Sequence, residues 1–146
     1  MRITEIKLNN YRAFYGEHTI SLDKDGKNLM VYGENGSGKS SLFTALQNFF
    51  LSSVQRVTVE ENIFVPSSKK NTASIQVTIK ESAASTKTTN FDLNIIDKQI
   101  ISADKTIIAD ANKIKGFFDY RSLLRTHIEH ANDVNLFDIL INGILK

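Results

Sequence analysis

The feature that most constrains this chain is a glycine-rich octapeptide, GENGSGKS, at residues 33–40. It fits the pattern G-x-x-x-x-G-K-[ST], in which the glycines let the backbone approach a phosphate closely. An apolar run at residues 29–32 precedes the octapeptide, and residues 41–51 follow it with apolar positions at helical spacing. The pattern therefore predicts a strand, a phosphate-binding loop and a helix, in that order.

The residue types within the octapeptide suit the binding of a nucleotide triphosphate. Backbone N–H groups of the loop and of the first helical turn would converge on an anion at the positive end of the helix dipole. We expect the Lys39 ammonium to lie between the β- and γ-phosphates and the Ser40 hydroxyl to coordinate Mg²⁺, which prefers oxygen ligands. The prediction is therefore a protein that binds ATP with Mg²⁺. The other predicted nucleotide-binding residues of this segment are Asn35, Gly36, Ser37, Gly38 and Ser41.

Hydrophobic periodicity predicts the rest of the layout. Alternating residues indicate strands at 3–8, 19–22, 73–79 and 91–95, the last two as an antiparallel pair with one wet face, and a short strand near 99–101. The continuous apolar run at 29–32 predicts a strand buried on both faces. Helices are predicted at 106–115, 122–131 and 134–145. The fold class is α/β, one domain over residues 1–146 with a mixed sheet around the P-loop helix, an antiparallel β subdomain and C-terminal helices.

Composition excludes several other kinds of protein. The sequence has no cysteine, so disulfides and thiolate metal sites are excluded. It lacks an apolar run long enough for a transmembrane helix and lacks the apolar core of a signal peptide, so we expect a cytoplasmic protein with no membrane contact. The net charge of +2 is too small to predict nucleic-acid binding by itself. His127 and His130 have no evident third ligand, which favours an ordinary histidine pair over a metal site.

The octapeptide alone does not distinguish among GTPases, kinases and ATPases, because all three classes share it. A GTPase reads guanine with an N-K-x-D element, and NKIK at residues 112–115 lacks the aspartate. A small-molecule kinase usually carries its loop on the first strand and needs an arginine-rich lid. Here two predicted strands precede the loop, and no such lid is recognisable. An ATPase is therefore the favoured class.

The residues ahead of the loop narrow that class further. The opening ITEIKLNNYRAF at residues 3–14, followed by a loop of the form G-x-N-G-[SA]-G-K-[ST], resembles the N-terminal lobe of SMC/RecF-type ABC ATPases. These are AAA family ATPases of the DNA-repair or phage-defence kind, and the resemblance covers roughly the first 50 residues. It implies that Arg12 lies near the nucleotide phosphates, with a solvated loop arginine as the alternative. Tyr11 and Phe14 are predicted to be core residues, and residues 62–65 to approach the adenine side.

The same resemblance implies partners outside this sequence. In the family, the signature motif, the Walker B carboxylates and the switch histidine belong to a second lobe, and none is recognisable here, so we identify no catalytic residue. The family's Q-loop would fall near residues 117–122, which contain no glutamine. We therefore expect the N-terminal half of an ABC-type head, completed by a second lobe of the same longer chain or of a partner protein. ATP-driven head dimerisation and DNA are further implied; the alternative is a stand-alone nucleotide-binding interaction module that does not hydrolyse ATP.

Overall fold

A computed structural model describes residues 1–24, 26–81, 86–101, 105–114 and 116 of the protein. The elements follow in the order β1 (Arg2–Asn9), β2 (Glu17–Ser21), α1 (Lys39–Leu51), a short 3₁₀ turn (Ser67–Lys69), β3 (Ser74–Lys80), β4 (Thr88–Asn94) and α2 (Lys105–Ile114). The predicted helices at 122–131 and 134–145, the predicted Q-loop position and the histidine pair lie outside the described residues.

The four strands form one sheet in the order β2-β1-β3-β4. Each neighbouring pair is antiparallel, with Ile6 opposite Val77 and Val77 opposite Phe91. The predicted pairing of β3 with β4 is confirmed. The predicted mixed sheet is wrong for this part of the protein, because every strand pair among the described residues runs antiparallel. The sequence also did not reveal that β3 pairs with β1 across the whole length of both strands.

One face of the sheet packs against α1 and forms the core. Side chains alternate along each strand, so that every second residue of β1 and β3 is buried and the intervening residues are only partly covered. On α1, Leu42, Ala45, Phe49 and Phe50 are buried, which is the face expected from their helical spacing. Ile108 and Ala111 of α2 join the same core. The predicted helices at 41–51 and 106–115 are therefore confirmed within a residue or two at their ends. Among the described residues, no helix combines the length and the hydrophobicity needed to cross a membrane.

The apolar run at residues 29–32 is not a buried strand. Met30 and Tyr32 are 85% and 88% exposed, and Leu29 and Val31 are 41% and 47% exposed. A strand that is buried on both faces needs paired neighbours and a layer on each side, and no strand in the described residues pairs with this run. The apolar run therefore indicates side chains that favour burial, and the described part of the protein does not bury them.

The predicted short strand near residues 99–101 is also wrong. This segment has no strand pairing; Ile100 is buried, and its N–H donates to the Ser52 carbonyl at 3.4 Å, whereas Ile101 is 79% exposed. The hydrogen bond to Ser52 holds Ile100 beside the end of α1, where its side chain enters the core, whereas the next side chain, Ile101, points to solvent.

Candidate phosphate-binding loop

Residues 33–40, called the phosphate loop below, lead directly into the N-terminus of α1. Gly38 is the N-cap of the helix with φ 90°, and Gly36 has φ 86°, both in the left-handed region that glycine enters without strain. The helix has no N-terminal cap from a side-chain group, and its first turn has no acidic residue. The N–H groups of that turn have no intrahelical acceptor, because helix geometry leaves them unpaired. They are therefore free to bind an anion at the positive end of the helix dipole.

The Lys39 ammonium reaches back across the phosphate loop. It donates hydrogen bonds to the Gly33 carbonyl at 2.7 Å and the Glu34 carbonyl at 2.6 Å, and it lies 3.3 Å from the Ser37 hydroxyl. The loop is further tightened by the Ser37 N–H, which donates to the Glu34 carbonyl at 3.2 Å. The structure thus brings Lys39 together with the loop that it was predicted to serve. Neutral carbonyls hold the ammonium, and a charged phosphate oxygen is a stronger acceptor than a carbonyl.

The hydroxyl of Ser40, the predicted Mg²⁺ ligand, is exposed at the start of α1. The Ser40 carbonyl accepts a hydrogen bond from the Thr44 hydroxyl at 2.8 Å, while its own hydroxyl has no hydrogen-bond partner among the residues described. Within those residues, no group of three or more histidine or acidic side chains could hold a metal ion. A single hydroxyl suits Mg²⁺ bound largely through phosphate oxygens and water, which is how this cation usually binds. Asn35 is exposed in the loop, and Ser41 is half-buried behind Ser40.

A second loop, residues 10–16, packs against the end of the phosphate loop; we call it the Arg12 loop. A methyl group added at Gly38 would lie 3.2 Å from the Phe14 ring and 3.6 Å from the Ala13 side chain. The Phe14 ring contacts the His18 ring edge-on at 5.3 Å between centroids. Tyr11 is fully buried and Phe14 packs against the core, so the prediction that both are core residues is confirmed. Gly38 is required here both for its positive φ and for the space that Phe14 fills.

Arg12 adopts a left-handed conformation with φ 48°. Its side chain is 34% exposed, and its Nε lies 3.5 Å from the Glu60 carboxylate. The neighbouring Tyr11 hydroxyl has a pKa raised by burial, an effect that the positive charge of Arg12 partly offsets. The guanidinium therefore faces Glu60 in this structure, although its loop touches Gly38. The predicted contact between Arg12 and phosphate stays a prediction.

A third loop, residues 60–65, is held to the Arg12 loop by Asn62, and we call it the Asn62 loop. The side-chain amide of Asn62 donates to the Arg12 carbonyl at 2.6 Å, and its backbone N–H donates to the Asn10 carbonyl at 2.8 Å. Its side-chain oxygen accepts the Phe64 N–H at 2.9 Å. Ile63 and Phe64 are 83% and 73% exposed. The segment predicted to approach adenine therefore lies beside the Arg12 loop and presents two apolar side chains to solvent.

A polar network behind these loops was not predicted from the sequence. The mostly buried Glu61 carboxylate accepts the Thr72 N–H at 2.8 Å and lies 3.8 Å from the Lys70 ammonium. Burial raises the pKa of Glu61, but the hydrogen bonds and Lys70 outweigh it and hold that pKa below its ordinary value. The Thr72 hydroxyl accepts from Asn10 at 2.8 Å, and the Asn10 side-chain oxygen accepts the Gly16 N–H at 2.8 Å. This network joins the Arg12 loop to the turn before β3, contacts that no local pattern reveals.

Comparison with known proteins adds an independent finding. A family model described as "AAA ATPase domain" matches residues 1–142 of the sequence. A search of curated proteins finds no match.

Proposed function

The chain belongs to the AAA ATPase domain family, and from that premise we propose that it is the N-terminal ATP-binding lobe of an SMC/RecF-like ATPase head. Proteins of this family generally bind ATP with Mg²⁺. The observation that carries the proposal is the phosphate loop itself, in which Lys39 lies over a glycine-rich turn at the uncapped N-terminus of α1.

ATP binding would rearrange the contacts of Lys39. The β- and γ-phosphates would take the ammonium from the Gly33 and Glu34 carbonyls, because charge-assisted hydrogen bonds are stronger than those to neutral carbonyls. The backbone N–H groups of Gly36 and of residues 38–41 would bind the phosphate oxygens, and the Ser37 N–H would join them on leaving the Glu34 carbonyl. The free Ser40 hydroxyl would take a position on Mg²⁺. Arg12 would join the phosphates only after leaving Glu60.

The exposed run at residues 29–32 supports the proposal of a second lobe. Met30 and Tyr32 are almost fully exposed, although their sequence pattern is that of an interior strand. We propose that the second lobe adds a strand beside this run, which would bury it and continue it into a larger sheet. The same lobe would supply the Walker B carboxylates, because no Walker B motif is recognisable in this sequence.

The wider function rests on the resemblance of residues 3–14 and 33–40 to SMC/RecF-type ATPases. In that scheme, ATP binding drives dimerisation of two heads, and the cycle is coupled to DNA maintenance, repair or anti-phage defence. The exposed Ile63 and Phe64 side chains lie beside the Arg12 loop, where an adenine ring could stack on them.

The proposal is tested by titrating the purified protein with a fluorescent ATP analogue and Mg²⁺ and by measuring phosphate release. Lys39→Ala should weaken binding by roughly ten- to a hundredfold, the equivalent of a lost charge-assisted hydrogen bond of about 1.5–3 kcal/mol. Lys24→Ala, which removes an exposed lysine from a turn outside the phosphate loop, is the matched control and should bind as the wild type does. Equal binding by the Lys39→Ala variant would contradict the loop assignment.

The rate of ATP hydrolysis distinguishes the N-terminal half of an ATPase head from a complete ATPase, and co-expression distinguishes it from a stand-alone module. We expect phosphate release near background, because the sequence contains no recognisable Walker B carboxylates to hold Mg²⁺ and activate water. Robust turnover that depends on Lys39 would contradict the half-head proposal. A stand-alone non-hydrolysing module would bind ATP but gain no activity when co-expressed with a candidate second lobe.

A further inference from the structure

The phosphate loop contains the dipeptide Asn35–Gly36, which is chemically labile where its backbone is unrestrained. Both residues are exposed, and a methyl group added at Gly36 would meet nothing within 4 Å. The Asn35 amide group and the Gly36 N–H have no hydrogen-bond partner among the described residues. The Ser37 N–H bond to the Glu34 carbonyl at 3.2 Å spans this dipeptide, but no hydrogen bond among the described residues holds the Gly36 nitrogen or the Asn35 amide group itself.

We propose that Asn35 is a site of spontaneous deamidation, which slowly damages the phosphate loop unless a bound nucleotide protects it. The Gly36 backbone nitrogen loses its proton and attacks Cγ of Asn35, forming a new bond between nitrogen and Cγ in a succinimide ring. The bond between Cγ and Nδ2 of the asparagine amide breaks, and ammonia leaves. Water then opens the ring at either carbonyl, giving aspartate or isoaspartate at position 35. Asparagine is among the thermolabile residues, and a following glycine removes the Cβ that would hinder ring closure.

Either product would harm a loop that binds a polyanion, a consequence that rests on the proposed function. Aspartate places a negative charge close to the phosphates, which repels them across a short distance. Isoaspartate adds a methylene group to the backbone and shifts the N–H groups of Gly36, Ser37 and Gly38 away from a common centre. The succinimide step itself does not depend on nucleotide binding.

The first test follows deamidation by peptide mapping of the intact protein incubated at mildly alkaline pH and physiological temperature. Trypsin cuts after Lys27 and Lys39, and the resulting peptide holds both Asn35 and the exposed Asn28. Asn28 precedes Leu29, whose bulky side group hinders ring closure, so it serves as an internal control. Asn35 should convert severalfold faster than Asn28. Equal rates at the two positions would overturn the proposal.

The second test adds Mg·ATP during the incubation. Nucleotide should slow conversion of Asn35 severalfold in the wild type and much less in Lys39→Ala at the same nucleotide concentration. Fast conversion that Mg·ATP does not slow would refute nucleotide protection and would count against the proposed function, while leaving Asn35 established as a deamidation site. This arm therefore separates the two ideas.

The third test measures how deamidation at position 35 changes the affinity for Mg·ATP. Deamidated molecules carry an additional negative charge, so ion exchange separates them, and peptide mapping of each fraction identifies the one changed at position 35 alone for titration with Mg·ATP. Their affinity should be lower by about tenfold or more. Asn35→Gln, whose longer side group closes the ring slowly, should show the same affinity before and after incubation. Equal affinity of the deamidated and intact molecules would overturn the inferred effect. The second Asn-Gly pair, Asn142–Gly143, lies in another tryptic peptide and is scored separately.

Discussion

Replacing Asn62 by alanine should destabilise the fold by about 2–3 kcal/mol. The residue is 3% exposed, and its amide group makes two hydrogen bonds, a donor bond to the Arg12 carbonyl at 2.6 Å and an acceptor bond from the Phe64 N–H at 2.9 Å. Each bond contributes about 0.5–1.5 kcal/mol net, and the truncation also leaves partly buried groups unpaired. The two lost hydrogen bonds account for about 1–3 kcal/mol, and the cost of the unpaired groups places the expected destabilisation in the upper part of that range.

Urea unfolding followed by far-ultraviolet circular dichroism measures this effect. The matched control is Asn90→Ala, because Asn90 is an exposed asparagine whose side-chain oxygen accepts from the Thr78 hydroxyl at 3.2 Å. The control should lose about 0.5 kcal/mol or less. Asn62→Asp keeps the acceptor for Phe64 but loses the donor to Arg12, and it should be destabilised by at least as much as the alanine variant. If Asn62→Ala is no less stable than Asn90→Ala, the reasoning about the Asn62 loop fails.

Three further changes probe the neighbouring contacts. Glu60→Gln should raise Mg·ATP affinity by about two- to fivefold in a calorimetric titration, because it frees the Arg12 guanidinium from a partly exposed ion pair. An affinity that does not rise would contradict a contact between Arg12 and phosphate. Gly38→Ala should cost about 1–2 kcal/mol from its φ of 90° alone, with crowding against Phe14 added, and an unchanged urea midpoint would contradict this. Glu61 has a folded pKa below its ordinary 4.5, so its stabilising effect is present above that pH and is lost as the pH falls through the lower folded value. As the pH falls, the wild type should therefore lose stability more steeply than Glu61→Gln. Parallel curves of stability against pH for the two proteins would contradict the lowered pKa of Glu61.

The phosphate loop could be predicted from the sequence because its constraints are local. Gly36 and Gly38 need left-handed backbone angles, and Lys39 must follow them at the helix start, all within one octapeptide. The strands of the sheet were likewise visible from alternation. Their order was not, since the pairing of Leu8 with Ile75 joins residues far apart in the sequence.

The two failures at the level of elements have a common physical cause. The apolar run at residues 29–32 and the segment at 99–101 were assigned as strands from composition, yet a strand exists only where another strand offers hydrogen bonds. A sequence pattern reports that Met30 and Ile100 prefer burial. It does not report which segment would cover them, and only Ile100 is covered among the residues described.

The supporting loops were hidden for a different reason. Glu61 and Thr72 are ordinary polar residues in no recognised motif, and Asn10 belongs to the opening at residues 3–14 without a role assigned to it. Their importance arises from hydrogen bonds that cross between separate loops, at distances of 2.8 Å for the Glu61–Thr72 and Asn10–Thr72 contacts. Arg12 was singled out by the resemblance alone, and the structure adds the Glu60 partner that would compete with phosphate.

The most direct measurement of the central claim is hydrogen–deuterium exchange of the protein with and without Mg·ATP. The claim is that the phosphate loop and the first turn of α1 bind the triphosphate through their backbone N–H groups. Mg·ATP should slow exchange in residues 33–41, leave β4 unchanged, and give much weaker protection in the Lys39→Ala variant at the same nucleotide concentration. Unchanged exchange in residues 33–41 at saturating nucleotide, or equal protection in Lys39→Ala, would contradict the account.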